Sequence, residues 1–303
     1  MTISPAPTSL RRATVAALAT NIGIVITGGV VRVSGSGLGC PTWPQCEPGS
    51  LVPTAASEHT TWQTAIEFGN RLLTFVVLAA VVMVVWELRK HASSRPHLRR
   101  FAWLLPIGVV TQAIVGGITV LTGLHPATVA THFLLSIGLI AVATIVYREA
   151  ITGHKIKPAS RAVQHMTTAV MAVTSVVLLL GTVVTGAGPH GGDPAAARFP
   201  VNIRLAAIAH ADAVWMLLGL TVALIVVTRN ADAVLKRSVV VLFAIQLAQG
   251  GIGYLQYWLG IPATIVSFHI AGAAILWAFT VNVFWLARGP ILVERSRSET
   301  ATS

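Results

Sequence analysis

His132, His210 and His269 each stand five to seven residues inside a long apolar run. A lone histidine in such a run often serves only as a hydrogen-bonding link between helices. An ionisable group at that depth is nonetheless a functional candidate by default. Neutral imidazole in an apolar, glycine-lined helix bundle is what an axial ligand of haem iron requires. Gly116, Gly117, Gly250 and Gly251 would leave room for a flat macrocycle, and His210 and His269 form the expected facing pair. Where His210 stands in the second half of the chain, the first half offers Glu67, Asn70 and Arg71. Their i, i+3, i+4 spacing puts them on one helical face. Glu67 is the only carboxylate well inside a span of the first half; it reads either as an internal ion pair with Arg71 or as a working anion. The other seven histidines, His59 among them, fall in connectors or at helix ends.

The elements that carry these residues are dictated by composition. Of 303 residues 54% are hydrophobic and 10% charged, with a mean hydropathy of +0.75; a soluble domain carries about 25% charged residues. That excludes a soluble enzyme, a nucleic-acid-binding protein and a disordered chain. Apolar runs recur at 13–33, 64–86, 101–122, 127–147, 165–187, 204–228, 239–259 and 263–287. Each is long enough to cross the hydrocarbon as a helix, which satisfies its own backbone hydrogen bonds. The expected fold is an all-α membrane protein of eight transmembrane helices, in a bilayer that is its main partner.

Assigning alternate connectors to one side places 17 of the 21 lysines and arginines there, leaving Arg32, Arg71, Arg198 and Arg204 on the other. The positive-inside rule then makes both termini cytoplasmic, and the +11 formal charge is a topology signal with no nucleic acid attached. The localisation expected is the cell membrane, multi-pass. Spans four, six and eight all enter from the outer face, so the three imidazoles form a layer roughly 8–10 Å below it.

The chain also repeats itself. Gln112-x-x-x-Gly116-Gly117-Ile118 followed by Pro126-Ala127-Thr128 and His132 returns as Gln246-x-x-x-Gly250-Gly251-Ile252, Pro262-Ala263-Thr264 and His269. Two halves of four crossings each are parallel repeats related by a pseudo-two-fold along the membrane normal. The boundaries expected are a cytoplasmic tail 1–12, an N-terminal half 13–150, a linker 151–163, a C-terminal half 164–288 and a tail 289–303.

Between the first two spans lies Gly29-Val-Val-Arg32-Val-Ser34-Gly35-Ser36-Gly37-Leu38-Gly39-Cys40-Pro41-Thr42-Trp43-Pro44-Gln45-Cys46. This loop resembles the first outer loop of haem A synthases, and the resemblance extends over nearly the whole chain: eight spans, Glu in span two, His in spans four, six and eight. It implies that His210 and His269 ligate a haem b cofactor, that His132 ligates the iron of the substrate haem O, and that Glu67 takes part in oxidation. The methyl group at porphyrin position 8 would become a formyl group, through an alcohol and a hydrated aldehyde, giving haem A for terminal oxidase assembly. A membrane haem O synthase and an electron acceptor are the implied partners. The sequence departs from the family at Asn70, where relatives carry the second histidine; a neutral amide is a poor iron ligand. Arg32, Arg71 and Arg204, with Arg198, lie where haem propionates could be paired, or simply snorkel to the interface. Cys40 and Cys46 lie outside, where a disulfide persists; a redox-active thiol pair is the alternative. Two rival readings use the same histidines: a non-enzymatic b-type membrane cytochrome and a parallel-repeat transporter.

Overall fold

The computed structural model describes residues 7–54, 60–91, 96–151 and 158–289. Eight membrane-length helical spans occur among them: α1 (Thr8–Val33), α2 (Thr61–His91), α3 and α4 (Pro96–Ala102 and Leu104–Leu121), α5 (Pro126–Ile151), α6 (Arg161–Ala187), α7 (Ile203–Val227), α8 (Ala233–Trp258) and α9 (Ala263–Arg288). The third span is two helices because Pro106 has no N–H to offer the carbonyl of Ala102 and its ring crowds that turn; the break falls at Trp103. Helix α1 begins at Thr8, ahead of the expected start at 13, because Arg11 and Arg12 are carried on helix. Residues 1–6, 152–157 and 290–303 of the expected tails and linker, and His59, lie outside the described residues.

Helix starts follow local chemistry. Ser160 Oγ accepts from the Val163 amide, Asn202 from Arg204 and Leu205, and Asp232 from Val234; each fills an otherwise orphaned donor of the first turn. The ends of α4 and α8 share one geometry. Gly123 and Leu124 have φ of 61° and 58°, and Gly260 and Ile261 have 75° and 62°. Leu124 N bonds Thr119 O, and Ile261 N bonds Gln256 O, the six-to-one closure of a Schellman cap.

Helix α1 packs on α2, α5 and α9, while α6 packs on α7, α9 and α5. The core has three parts: one within α1–α5 around Val81, Leu88 and Leu105, one within α6–α9 around Leu217, Leu242 and Trp285, and a seam of α1, α5, α6 and α9. At the seam Trp277 Nε1 donates to Ile137 O at 2.8 Å, and Trp285 Nε1 to Glu149 Oε1 at 2.8 Å. On the disulfide-loop side the connectors interlock. Arg32 donates to His190 O and Thr185 O, Gly37 N to Gly192 O, and His190 Nε2 to Ile261 O. Loops of both halves thereby form one cap over the helix ends.

Candidate functional site: a layer of glycine-backed imidazoles

Each of the three intramembrane histidines rests on a glycine of the neighbouring helix. A Cβ placed on Gly116 would lie 3.1 Å from His132 Cε1; one on Gly181 would lie 3.3 Å from His210 Cε1, and one on Gly253 would lie 3.5 Å from His269 Cε1. The absent side chain lets the ring lie against bare backbone and fixes how far it can tilt. Of the four glycines singled out by sequence, only Gly116 does this. Gly117 is covered by the Trp43 ring, whose Cδ2 would be 2.4 Å from an added Cβ, while Gly250 and Gly251 border open space. Gly181 and Gly253 were not legible, because which glycine faces a histidine depends on helix rotation and register.

His210 on α7 and His269 on α9 face each other with ring centroids 6.4 Å apart and planes at 75°. Two metal–imidazole bonds of about 2 Å each, with about 1 Å more from each nitrogen to its ring centre, span about 6 Å. The pair therefore stands at the separation one bridging metal needs. His210 Nδ1 lies 3.0 Å from Val177 O. A carbonyl only accepts, so Nδ1 carries the proton and Nε2 keeps its lone pair, the arrangement by which ligating histidines are oriented. His269 Nδ1 is buried without a hydrogen-bond partner among the described residues, as is His132 Nδ1. Among the described residues no three His, Cys, Asp or Glu side chains converge as a metal site. A porphyrin supplies its own four in-plane nitrogens and asks the protein only for axial ligands, so the donor set fits haem rather than a bare ion.

The first half is built differently. Gln112 Nε2 ties His132 O and Ser136 Oγ together at 3.1 and 2.8 Å, holding α5 against α4. At Asn70, the counterpart of His210, the Thr27 hydroxyl donates to Oδ1 at 2.7 Å, so the amide oxygen is already engaged.

Glu67, one turn from Asn70 and 5% exposed, reaches the disulfide loop. Its Oε1 accepts from Arg71 Nη2 and Nε at 2.7 and 3.2 Å, and its Oε2 from Cys40 N at 2.8 Å. Arg71 also donates to Cys40 O, Thr42 O and Gln45 O. Cys40 and Cys46 form a disulfide, both buried. The loop can lie this close only because Gly39 has no side chain: a Cβ there would be 2.8 Å from Gln63 O and 2.9 Å from Thr64 Cα. Gln63 Nε2 adds a bond to Gly35 O, a contact between segments 28 residues apart that no spacing pattern announces.

The outer arginines divide accordingly. Arg32 and Arg71 are held by the carbonyls named above, and Arg198 by Gly188 O and Pro189 O. Arg204, at the start of α7, is exposed and makes no side-chain bond to a described residue. A single guanidinium thus remains open for an incoming anion near the second-half histidines.

These features define a multi-pass membrane protein with a layer of half-buried imidazoles beneath a disulfide-closed cap. The sequence profile of the COX15-CtaA family, described as cytochrome oxidase assembly protein, matches residues 11–281. The chain belongs to that family. It is similar to proteins named heme A synthase from Lysinibacillus sphaericus (36% identical over 124 residues, 40% of this chain and 38% of that one) and Exiguobacterium sibiricum (34% over 131 residues, 42% of each). A third, from Bacillus mycoides, is 30% identical over 127 residues, 41% of this chain and 38% of that one. The chain thus aligns with about two fifths of the length of these curated relatives.

Proposed function

We propose that the protein is a haem A synthase, an oxidoreductase that converts the position-8 methyl of haem O to a formyl group. The observation that carries the reading is the inequality of the two halves. One holds two facing imidazoles at metal-bridging distance; the other has a single imidazole, an engaged amide in place of the second, and a buried carboxylate one turn away. The first arrangement suits a permanently held cofactor, haem b, and the second suits a substrate that must come and go. The recurring packing of α1 with α2, α5 and α9 and of α6 with α7, α9 and α5 supports reading residues 13–150 and 164–288 as parallel repeats. With the basic connectors read as cytoplasmic, both termini lie inside and the disulfide cap outside.

Haem b, when bound, supplies one-electron redox chemistry. His210 and His269 would hold its iron, Val177 O fixes the His210 tautomer, and Arg204 would be open to a propionate. In the first half His132 holds the iron of haem O, so that its ring is fixed while the methyl reacts. Asn70, whose amide oxygen already accepts from Thr27, would offer that iron no second imidazole. Glu67 places negative charge at the margin of the same half, where charge developing on the oxidised carbon is stabilised by a preorganised anion. Haem O synthase is the implied supplier.

The test is extraction of the haems from protein purified from a host that makes haem O. Haem b accompanied by haem O or haem A is expected. Haem b alone would make the protein a cytochrome, and no Soret band would favour a transporter.

A further inference from the structure

On the membrane side opposite the disulfide cap, Arg89, Arg99, Arg100 and Trp103 line a cavity of about 370 Å³. We infer that this cavity is a binding site for the phosphate headgroup of an anionic phospholipid.

Three separate observations meet there. First, the walls are cationic and uncompensated. The chain has no acidic residue from Leu88 to Arg148, and none of the three arginines forms an ion pair among the described residues. The nearest acid in sequence, Glu87, pairs with His91. Three guanidiniums so close together repel one another, and an anion relieves that repulsion while filling their forked donors.

Second, the element that carries two of them has no counterpart in the other half. Helix α3 buries Leu98 and Ala102 completely, at 1% and 0% exposure, and turns Arg99 and Arg100 outward. The equivalent junction between α7 and α8 is the short turn Thr228–Asn230, closed by an acid, Asp232. A basic connector alone would satisfy the positive-inside rule, so that rule does not require α3.

Third, the cavity sits at an interfacial height. Trp103 is 41% exposed, with the Arg89 guanidinium 5.1 Å from its ring centroid. One turn away Lys90 lies 4.8 Å over Trp86. Tryptophan collects at headgroup level, and basic pockets between helix ends on this side suit anionic lipid headgroups. The aromatic wall would meet the glycerol and upper acyl carbons of a lipid, contacts that free phosphate does not make.

The test uses the full-length purified protein in mild detergent and native mass spectrometry, with phosphatidylglycerol, phosphatidylcholine or inorganic phosphate added. The wild type is expected to retain phosphatidylglycerol and not phosphatidylcholine. R99Q/R100Q is expected to lose affinity roughly fivefold for each guanidinium removed. K236Q/R237Q, which removes the same charge from the same side, is expected to bind as the wild type does. Equal loss in both double variants would show diffuse attraction and overturn the site. Displacement of the lipid by millimolar inorganic phosphate would overturn it in favour of a free-anion site. Should R99Q/R100Q fail to fold, R89Q, at the exposed end of α2, carries the same readout.

Discussion

Replacing Glu67 by Gln separates the loop-holding role that its carboxylate has in the structure from the catalytic role proposed for it. Gln retains an oxygen for the Cys40 amide but exchanges the anion beside Arg71 for a neutral amide. Breaking a buried pair from one side costs about 3–5 kcal/mol. Two charged hydrogen bonds from Arg71 are lost, but Arg71 keeps Cys40 O, Thr42 O and Gln45 O, so the loss should fall at the lower end of that range, about 3 kcal/mol. The protein is therefore expected to fold, keep its disulfide and keep the second-half haem. If the anion also stabilises the oxidation, losing about 3–4 kcal/mol at the transition state lowers the rate roughly 100- to 1000-fold. The assay is chromatography of extracted haems, with haem O or the alcohol accumulating at the expense of haem A. R71Q is the companion variant: it breaks the same pair and three loop contacts besides but leaves the carboxylate, and it should be the less stable protein yet retain more activity than E67Q. Equal losses would reduce Glu67 to a latch for the loop, and normal haem A from well-expressed E67Q would refute the reasoning altogether.

Replacing either His210 or His269 by Ala is expected to abolish the low-spin b-type absorption spectrum while that of the first-half haem persists; an unchanged low-spin spectrum in both variants would remove them as ligands. G117A drives a methyl into the Trp43 ring and should cost about 1–3 kcal/mol by overpacking, seen as a lower unfolding temperature, whereas G250A, bordering open space, should leave it nearly unchanged. Cys40 and Cys46 should resist alkylation until reduced, and C40S/C46S should destabilise the cap by about 2–3 kcal/mol in the chain-entropy account of so short a loop, measurable as faster amide exchange in the cap; quantitative labelling without reductant would count against the disulfide.

The eight spans were legible because hydrocarbon imposes one secondary structure on any long apolar run. What composition could not show was phase. The glycine facing His269 is Gly253, just past the sequence motif and two residues beyond Gly251, and an offset of two turns a helical position to nearly the opposite face. The break at Trp103 escaped because the residues on both sides of it are apolar. The outer arginines looked equivalent, and they separate only because loop carbonyls far away in sequence claim Arg32 and Arg71 while the folded loop turns Gly188 O and Pro189 O onto Arg198. Glu67 showed its i+4 partner at once, yet its bond to the Cys40 amide joins two segments that only the folded loop brings together. The disulfide was legible from the outer side to which the charge count assigned its cysteines; its burial against α2 was not.

The most direct test of the central claim is complementation. The gene is expressed in cells that make haem O but have lost their own haem A synthase, and total membrane haem is separated by chromatography and identified by mass. Haem A, recognised by its formyl group, is expected with the wild type and is expected to vanish with His132→Ala. Membranes that contain well-folded protein, haem O and haem b but no haem A would contradict the account.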